Sequence, residues 1–125
     1  MIAIVDDDLG MREAIAGLLR AHGFATECYA SAEVFLLAPD QQRTRCLILD
    51  VALPGLSGPQ LQQHLARRGF HIPIIFISAH ADFAAHVHAP TPDSHADFLS
   101  KPFTEAQLLR ALEGALHRCA ATAAS

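Results

Sequence analysis

Short apolar runs, each stopping at a reactive side chain, constrain this chain more than any other feature. Ile2-Ala3-Ile4-Val5 runs into Asp6-Asp7-Asp8, Cys46-Leu47-Ile48-Leu49 into Asp50, and Ile74-Ile75-Phe76-Ile77 into Ser78. A fourth, Phe98-Leu99-Ser100, precedes Lys101-Pro102. Runs this short, with helical segments between them, read as strands buried in a parallel sheet. Strand and helix alternate along the chain, which predicts a doubly wound α/β sheet. Ligands of such sheets bind beyond the carboxyl ends of the strands. Carboxylates, a hydroxyl and an ammonium therefore converge at one edge, a set suited to a divalent cation and a phosphoryl group.

Between the runs the apolar spacing turns helical. Met11, Ala14, Ile15, Leu18, Leu19 and His22 form one stripe, which Gly23 closes. Phe24 to Tyr29 reads as a second strand, and Ser31 caps a short helix carrying Val34, Phe35 and Ala38 that ends at Pro39-Asp40. After Asp50 a turn holding Pro54, Gly55, Ser57 and Gly58 leads to a helix that uses Leu61 and Leu65. The fourth strand begins after Pro73. Thr104 and Gln107 make a capping box for a last helix, striped by Leu108, Leu109, Leu112, Ala115, Leu116 and Cys119. Only 80–95 resists this pattern: a helix fits about Ala81 to His88, and Pro90 and Pro92 forbid its regular continuation. Four of the eight histidines fall there, and the two-residue step between His86 and His88 does not align them as metal ligands on a helix face.

A chain of 125 residues, 51% of them apolar, suits one compact domain with its own core. Residues 1–119 are assigned to that domain, and the Ala-rich 120–125 to a tail or linker stub. A net charge of −4 argues against nonspecific attraction to nucleic acid or an anionic membrane. No apolar stretch approaches the ~20 residues that span a bilayer. The N-terminal run turns acidic at once, with no basic region before it, and so reads as a strand rather than a signal peptide. Cys28, Cys46 and Cys119 form no close pair; Cys28 and Cys46 read as small buried hydrophobes in a reducing cytoplasm.

Vicinal carboxylates at a strand end raise one another's pKa, and a hard divalent cation removes that penalty. Asp7 and Asp50, with Asp6 acting through water and one backbone carbonyl, supply oxygen ligands for Mg²⁺. Asp8 reads as the cap of the following helix. Asp50 then reads as a nucleophilic carboxylate beside Lys101. Ser78 suits both a helix cap and a hydroxyl for an incoming phosphate.

Taken in order, Val5-Asp6-Asp7, Asp50-Val51-Ala52-Leu53-Pro54 through Ser57-Gly58, Ser78-Ala79 and Asp97-Phe98-Leu99-Ser100-Lys101-Pro102-Phe103 resemble the receiver domain of bacterial two-component response regulators. The likeness covers nearly the whole chain and is closest in style to receivers that precede a LuxR-type DNA-binding domain. It implies a flavodoxin-like, five-stranded parallel sheet of order 2-1-3-4-5, flanked by helices. It also implies that Asp50 accepts a phosphoryl group from a sensor histidine kinase. Asp7, Asp50 and the Ala52 carbonyl would hold Mg²⁺, for which Mn²⁺ can substitute, with Asp6 in support. Lys101 would neutralise a phosphoryl oxygen, Ser78 would bind the acquired phosphate, and Phe98 would rotate into the vacated space. Ala52 and His80 occupy positions where the family tunes dephosphorylation. Such a domain is a cytoplasmic phosphoacceptor that catalyses its own phosphorylation and dephosphorylation, not a turnover enzyme. The resemblance allows a homodimer through the last helix and the fourth-helix region. DNA would be reached only through a C-terminal effector domain, and no membrane partner is implied.

Two departures are conservative: Leu53 stands for the usual methionine, and Ser78 for threonine with the hydroxyl kept. The larger one is Ala89-Pro90-Thr91-Pro92-Asp93-Ser94-His95-Ala96, where receivers have a regular helix and then Gly-Ala. The chemistry at Asp50 is expected intact, with the readout carried by an irregular fourth-helix segment. A rival reading is a haloacid-dehalogenase-like phosphatase with Asp6 as nucleophile and Asp8 as the acid. It lacks the acidic pair expected after Lys101 and leaves the Asp50 to Gly58 motif unexplained. A non-phosphorylated pseudo-receiver acting as a binding module is the third reading.

Overall fold

A computed structural model describes residues 1–37, 43–51, 55, 58–69, 72–79, 96–101 and 103–124. Strands β1 (Ile2–Val5), β2 (Thr26–Tyr29), β3 (Cys46–Asp50), β4 (Ile74–Ala79) and β5 (Ala96–Lys101) form one sheet in the order β2-β1-β3-β4-β5. Every pairing is parallel. Helices α1 (Leu9–Ala21), α2 (Ala32–Leu36) and α3 (Gly58–Arg67) and a C-terminal helix (Glu105–Ala124) complete the described elements. This is the expected five-stranded α/β sheet in the expected order.

The apolar runs lack polar alternation because both faces of the sheet are covered. On one face Ile2, Ile4, Cys46, Ile48, Ile75 and Ile77 pack with Ile15, Ala16 and Leu19 of α1 and with Leu108, Leu112 and Ala115 of the C-terminal helix. On the other face Ala3, Val5, Leu47, Leu49, Ile74 and Phe76 meet Ala32 and Phe35 of α2 and Leu61 and Leu65 of α3. Alternate residues of each strand thus feed two separate cores. A fully buried leucine or isoleucine in either core stabilises the fold by roughly 1.5–3 kcal/mol.

Helix ends follow the cap chemistry of the sequence. Ser31 Oγ accepts the Val34 N–H at 3.1 Å. Thr104 and Gln107 exchange bonds, with the Thr104 N–H donating to Gln107 Oε1 at 2.8 Å and the Gln107 N–H to Thr104 Oγ1 at 3.1 Å. Gly23 ends α1 at φ +89°, a conformation that favours glycine.

Several details differ from expectation. β2 begins at Thr26 rather than Phe24, because the Phe24 N–H donates to Leu19 O at 2.9 Å and that residue is spent in closing α1. In α1 Ala16 is buried while Ala14 is exposed, as is His22, the cap residue that follows the helix. His22 instead places Nε2 2.9 Å from Glu105 Oε1 of the C-terminal helix. Val34 is 49% exposed, since α2 has only five residues and gives its inward positions to Ala32 and Phe35. Phe35 meets Tyr29 edge to face, ring centroids 5.2 Å apart.

Cys46 is buried as expected, but Cys28 is exposed, because β2 is an edge strand whose two middle residues lie open to solvent. The C-terminal helix continues to Ala124, through most of the Ala-rich segment. Ala38, Pro39 and Asp40, the segment His80 to His95 where an irregular fourth helix was expected, and the Cys119 side chain lie outside the described residues.

Candidate functional site

Strand register brings the reactive residues to one level. Val5 lies opposite Leu49, so Asp6 leaves β1 beside Asp50, the last residue of β3. Asp50 lies opposite Ile77, which puts Ser78 one step beyond it on β4. Ala79 in turn lies opposite Lys101, the last residue of β5. All of them sit at the carboxyl edge of the sheet, where the apolar runs stop.

Carboxylate oxygens of Asp6, Asp7 and Asp50 lie within 4.8 Å of one another. Asp6 is 2% exposed and Asp50 7%, while Asp7 faces solvent. The turn that carries the first two is tightly bonded. Asp6 Oδ1 accepts the Asp8 N–H at 2.9 Å, and Asp8 Oδ1 accepts the Gly10 N–H at 2.9 Å, which makes Asp8 the cap of α1 as expected. Arg12 Nη1 donates to Asp6 O at 2.6 Å. Carboxylates this close repel one another, most strongly between the buried Asp6 and Asp50, and a cation that joins them removes that repulsion. Their all-oxygen donor set suits a hard divalent ion, and the solvent-facing Asp7 leaves room for the waters that Mg²⁺ retains.

Ser78 is 1% exposed, and its Oγ has no hydrogen-bond partner among the described residues. A hydroxyl buried this way is costly. Phe98, opposite Phe76, and Lys101 are placed by their backbone in β5. Ala52 and His80 lie outside the described residues. Among the described residues at this edge, Arg12 is one that sequence reasoning missed. Its target is a backbone oxygen, which a pattern of side-chain types does not mark.

A separate apolar cavity of about 360 Å³ opens between α1 and the start of the C-terminal helix. Met11, Ala14, Ile15, Leu18, Phe103 and Leu108 line it with Glu105, whose carboxylate already meets His22. It brings no nucleophile or cation to a ligand, so the chemistry belongs to the carboxyl edge.

The family model of the response regulator receiver domain matches residues 2–113. The chain belongs to that family. This receiver is 44% identical over 116 residues to the response regulator protein TodT of Pseudomonas putida, covering 93% of this chain and 51% of that protein. It is 42% identical over 118 residues to nodulation protein W of Bradyrhizobium diazoefficiens, covering 94% of this chain and 52% of that protein. The solved structure of the response regulator StyR superposes with a TM-score of 0.86 at 40% identity, over 97% of this chain and 61% of that one. The chain spans about half the length of the curated relatives it matches. Neither the phosphatase nor the binding-module reading gains support from these relatives. No described helix is long and apolar enough to cross a membrane.

Proposed function

We propose that Asp50 is the phosphoacceptor of this receiver and that its phosphorylation by a sensor histidine kinase requires Mg²⁺. The observation that carries this reading is the meeting of Asp50 with Asp6 and Asp7 within 4.8 Å, at the edge where the Ser78 hydroxyl is buried. The Asp50 carboxylate attacks the phosphorus of a phosphohistidine in line. An O–P bond forms and the N–P bond breaks, its electron pair returning to the ring, so that the imidazole leaves neutral with the proton its other nitrogen already carries. Asp7, Asp50 and the Ala52 carbonyl hold Mg²⁺, with Asp6 in support, and Mn²⁺ can take its place. When bound, the ion neutralises charge on the phosphoryl oxygens. Lys101 neutralises another of these oxygens from β5.

Ser78 then donates its hydroxyl to the acquired phosphate, and Phe98 turns into the space its loop vacates. That movement is the readout. Ala52 and His80 set how readily water reaches the acyl phosphate. The domain is residues 1–119, and 120–125 lead out of it. It works in the cytoplasm as a phosphoacceptor rather than a turnover enzyme. Its partners are the kinase and, through the last helix and the fourth-helix region, a second receiver; DNA is reached only through an effector domain.

Intact-mass spectrometry after incubation with Mg²⁺ and a small acyl phosphate tests this directly. One phosphoryl group should add to the wild type, and none to Asp50→Asn or to a magnesium-free sample. Phosphorylation of Asp50→Asn to the wild-type extent would refute it.

A further inference from the structure

We infer that Arg12 is a positioning residue for the cation site, holding the turn between β1 and α1 in the shape that brings Asp6 and Asp7 to Asp50. The inference rests on the Mg²⁺ reading above. Three carboxylates within 4.8 Å drive one another apart, so the turn that carries two of them must be held against opening. Two of its bonds are local and neutral at the donor: the Asp8 N–H to Asp6 Oδ1 and the Gly10 N–H to Asp8 Oδ1. The third is charged and longer in reach. Arg12 Nη1 donates to Asp6 O at 2.6 Å across six residues, in a partly buried setting. Hydrogen bonds from an ionised donor are shorter and about twice as strong as neutral ones.

Arg12 is itself anchored on both sides of its backbone. Its N–H donates to Asp8 O at 3.0 Å, and its carbonyl faces Cys28 Sγ of β2 at 3.9 Å. Asp6 is tied to the same strand, through its N–H and Tyr29 O at 3.2 Å. The guanidinium thus closes a circuit of helix, turn and edge strand around the residue that sits deepest among the three acids. Because the bond falls on the backbone oxygen of Asp6, it orients the residue without needing a ligand oxygen of the site.

Two roles for this cation predict opposite signs. A bystander positive charge repels Mg²⁺, so its removal should tighten binding. A positioning charge lets the turn open when removed, so its loss should weaken binding. Calorimetric titration of the intact chain with Mg²⁺ separates them for wild type, Arg12→Met and Arg12→Lys. Arg12→Met should raise the Mg²⁺ Kd about tenfold despite deleting a positive charge. Arg12→Lys should raise it by a smaller factor, since an ammonium lacks the planar, pre-organised fork of the guanidinium.

A second readout is phosphorylation from a small acyl phosphate as a function of Mg²⁺. The half-saturating Mg²⁺ concentration should rise in step with Kd, while the plateau rate stays that of the wild type. Unchanged or tighter binding by Arg12→Met overturns the inference and leaves the Mg²⁺ reading standing; no heat from the wild type overturns both. If Arg12→Met melts without a cooperative transition, Arg12→Lys decides alone: weaker binding supports the role, and equal or tighter binding overturns it.

Discussion

Replacing Ser78 by alanine should stabilise the unphosphorylated domain while disabling its response to phosphate. Ser78 is 1% exposed, and its Oγ has no partner among the described residues. A buried hydroxyl without a bond costs about 1–3 kcal/mol by mutational measures. Alanine removes that cost and gives up only the packing of one oxygen atom, so the low end applies: a gain of about 1 kcal/mol. That is about a fivefold rise in the folded-to-unfolded ratio, and roughly 3–5 °C in Tm for a domain of this size. Urea melts of the magnesium-free protein measure it as a higher midpoint at unchanged m. The same melts after phosphorylation should show the reverse order, because wild type gains a charge-assisted bond that alanine cannot make. Loss of more than about 0.5 kcal/mol by unphosphorylated Ser78→Ala would refute the reasoning, since it would mean that the hydroxyl already has a bond worth keeping.

Phe35→Ala should cost about 3–5 kcal/mol in a urea melt, because the ring is fully buried between Tyr29 and the second core and the cavity left cannot collapse. Thr104→Ala should cost about 1 kcal/mol in the same assay by undoing half of the capping box. His22→Ala should change stability by no more than about 0.5 kcal/mol, since its partner Glu105 and the histidine are both well exposed. In a Cys119→Ala background, iodoacetamide should label Cys28 but not Cys46 until the protein is unfolded. Native labelling of Cys28 should run slower than that of a free thiol at neutral pH. Partial desolvation pushes its pKa up, against the pull of Arg20 and Arg12, and so lowers the thiolate fraction; a faster rate would show that the two arginines win.

Where packing or a cap decides an element, the chain announces it. Ser31 and the Thr104–Gln107 pair act as helix starts because their side chains satisfy N–H groups that a helix leaves open. The boundary of β2 was misread because Phe24 is apolar enough for a strand, yet its N–H closes α1, a competition that composition does not reveal. Cys28 was misread for a related reason. Burial of a strand residue depends on whether the strand lies at the edge, and strand order is a property of the whole sheet. Arg12 was passed over because its contact is to a backbone oxygen, and a pattern of side-chain types carries no mark of that.

The site itself was legible for a deeper reason. Strands buried on both faces show no alternation, so hydrophobicity alone does not state their register, and a slip by one residue would exchange the two cores. What states it is the place where each run stops. Charge does not enter a core uncompensated, so Asp6 and Asp50 end their strands at one level, and Val5 lies opposite Leu49 just inside them. On β4 the large apolar residues likewise stop at Ile77 and Ser78 follows, although the strand itself runs on to Ala79. The residues that close the core are therefore the ones delivered to the edge, where a cation relieves their mutual repulsion within 4.8 Å and an anchored turn resists it. Fold and chemistry draw on the same side chains, which is why the acids disclose both while the arginine that braces them discloses neither.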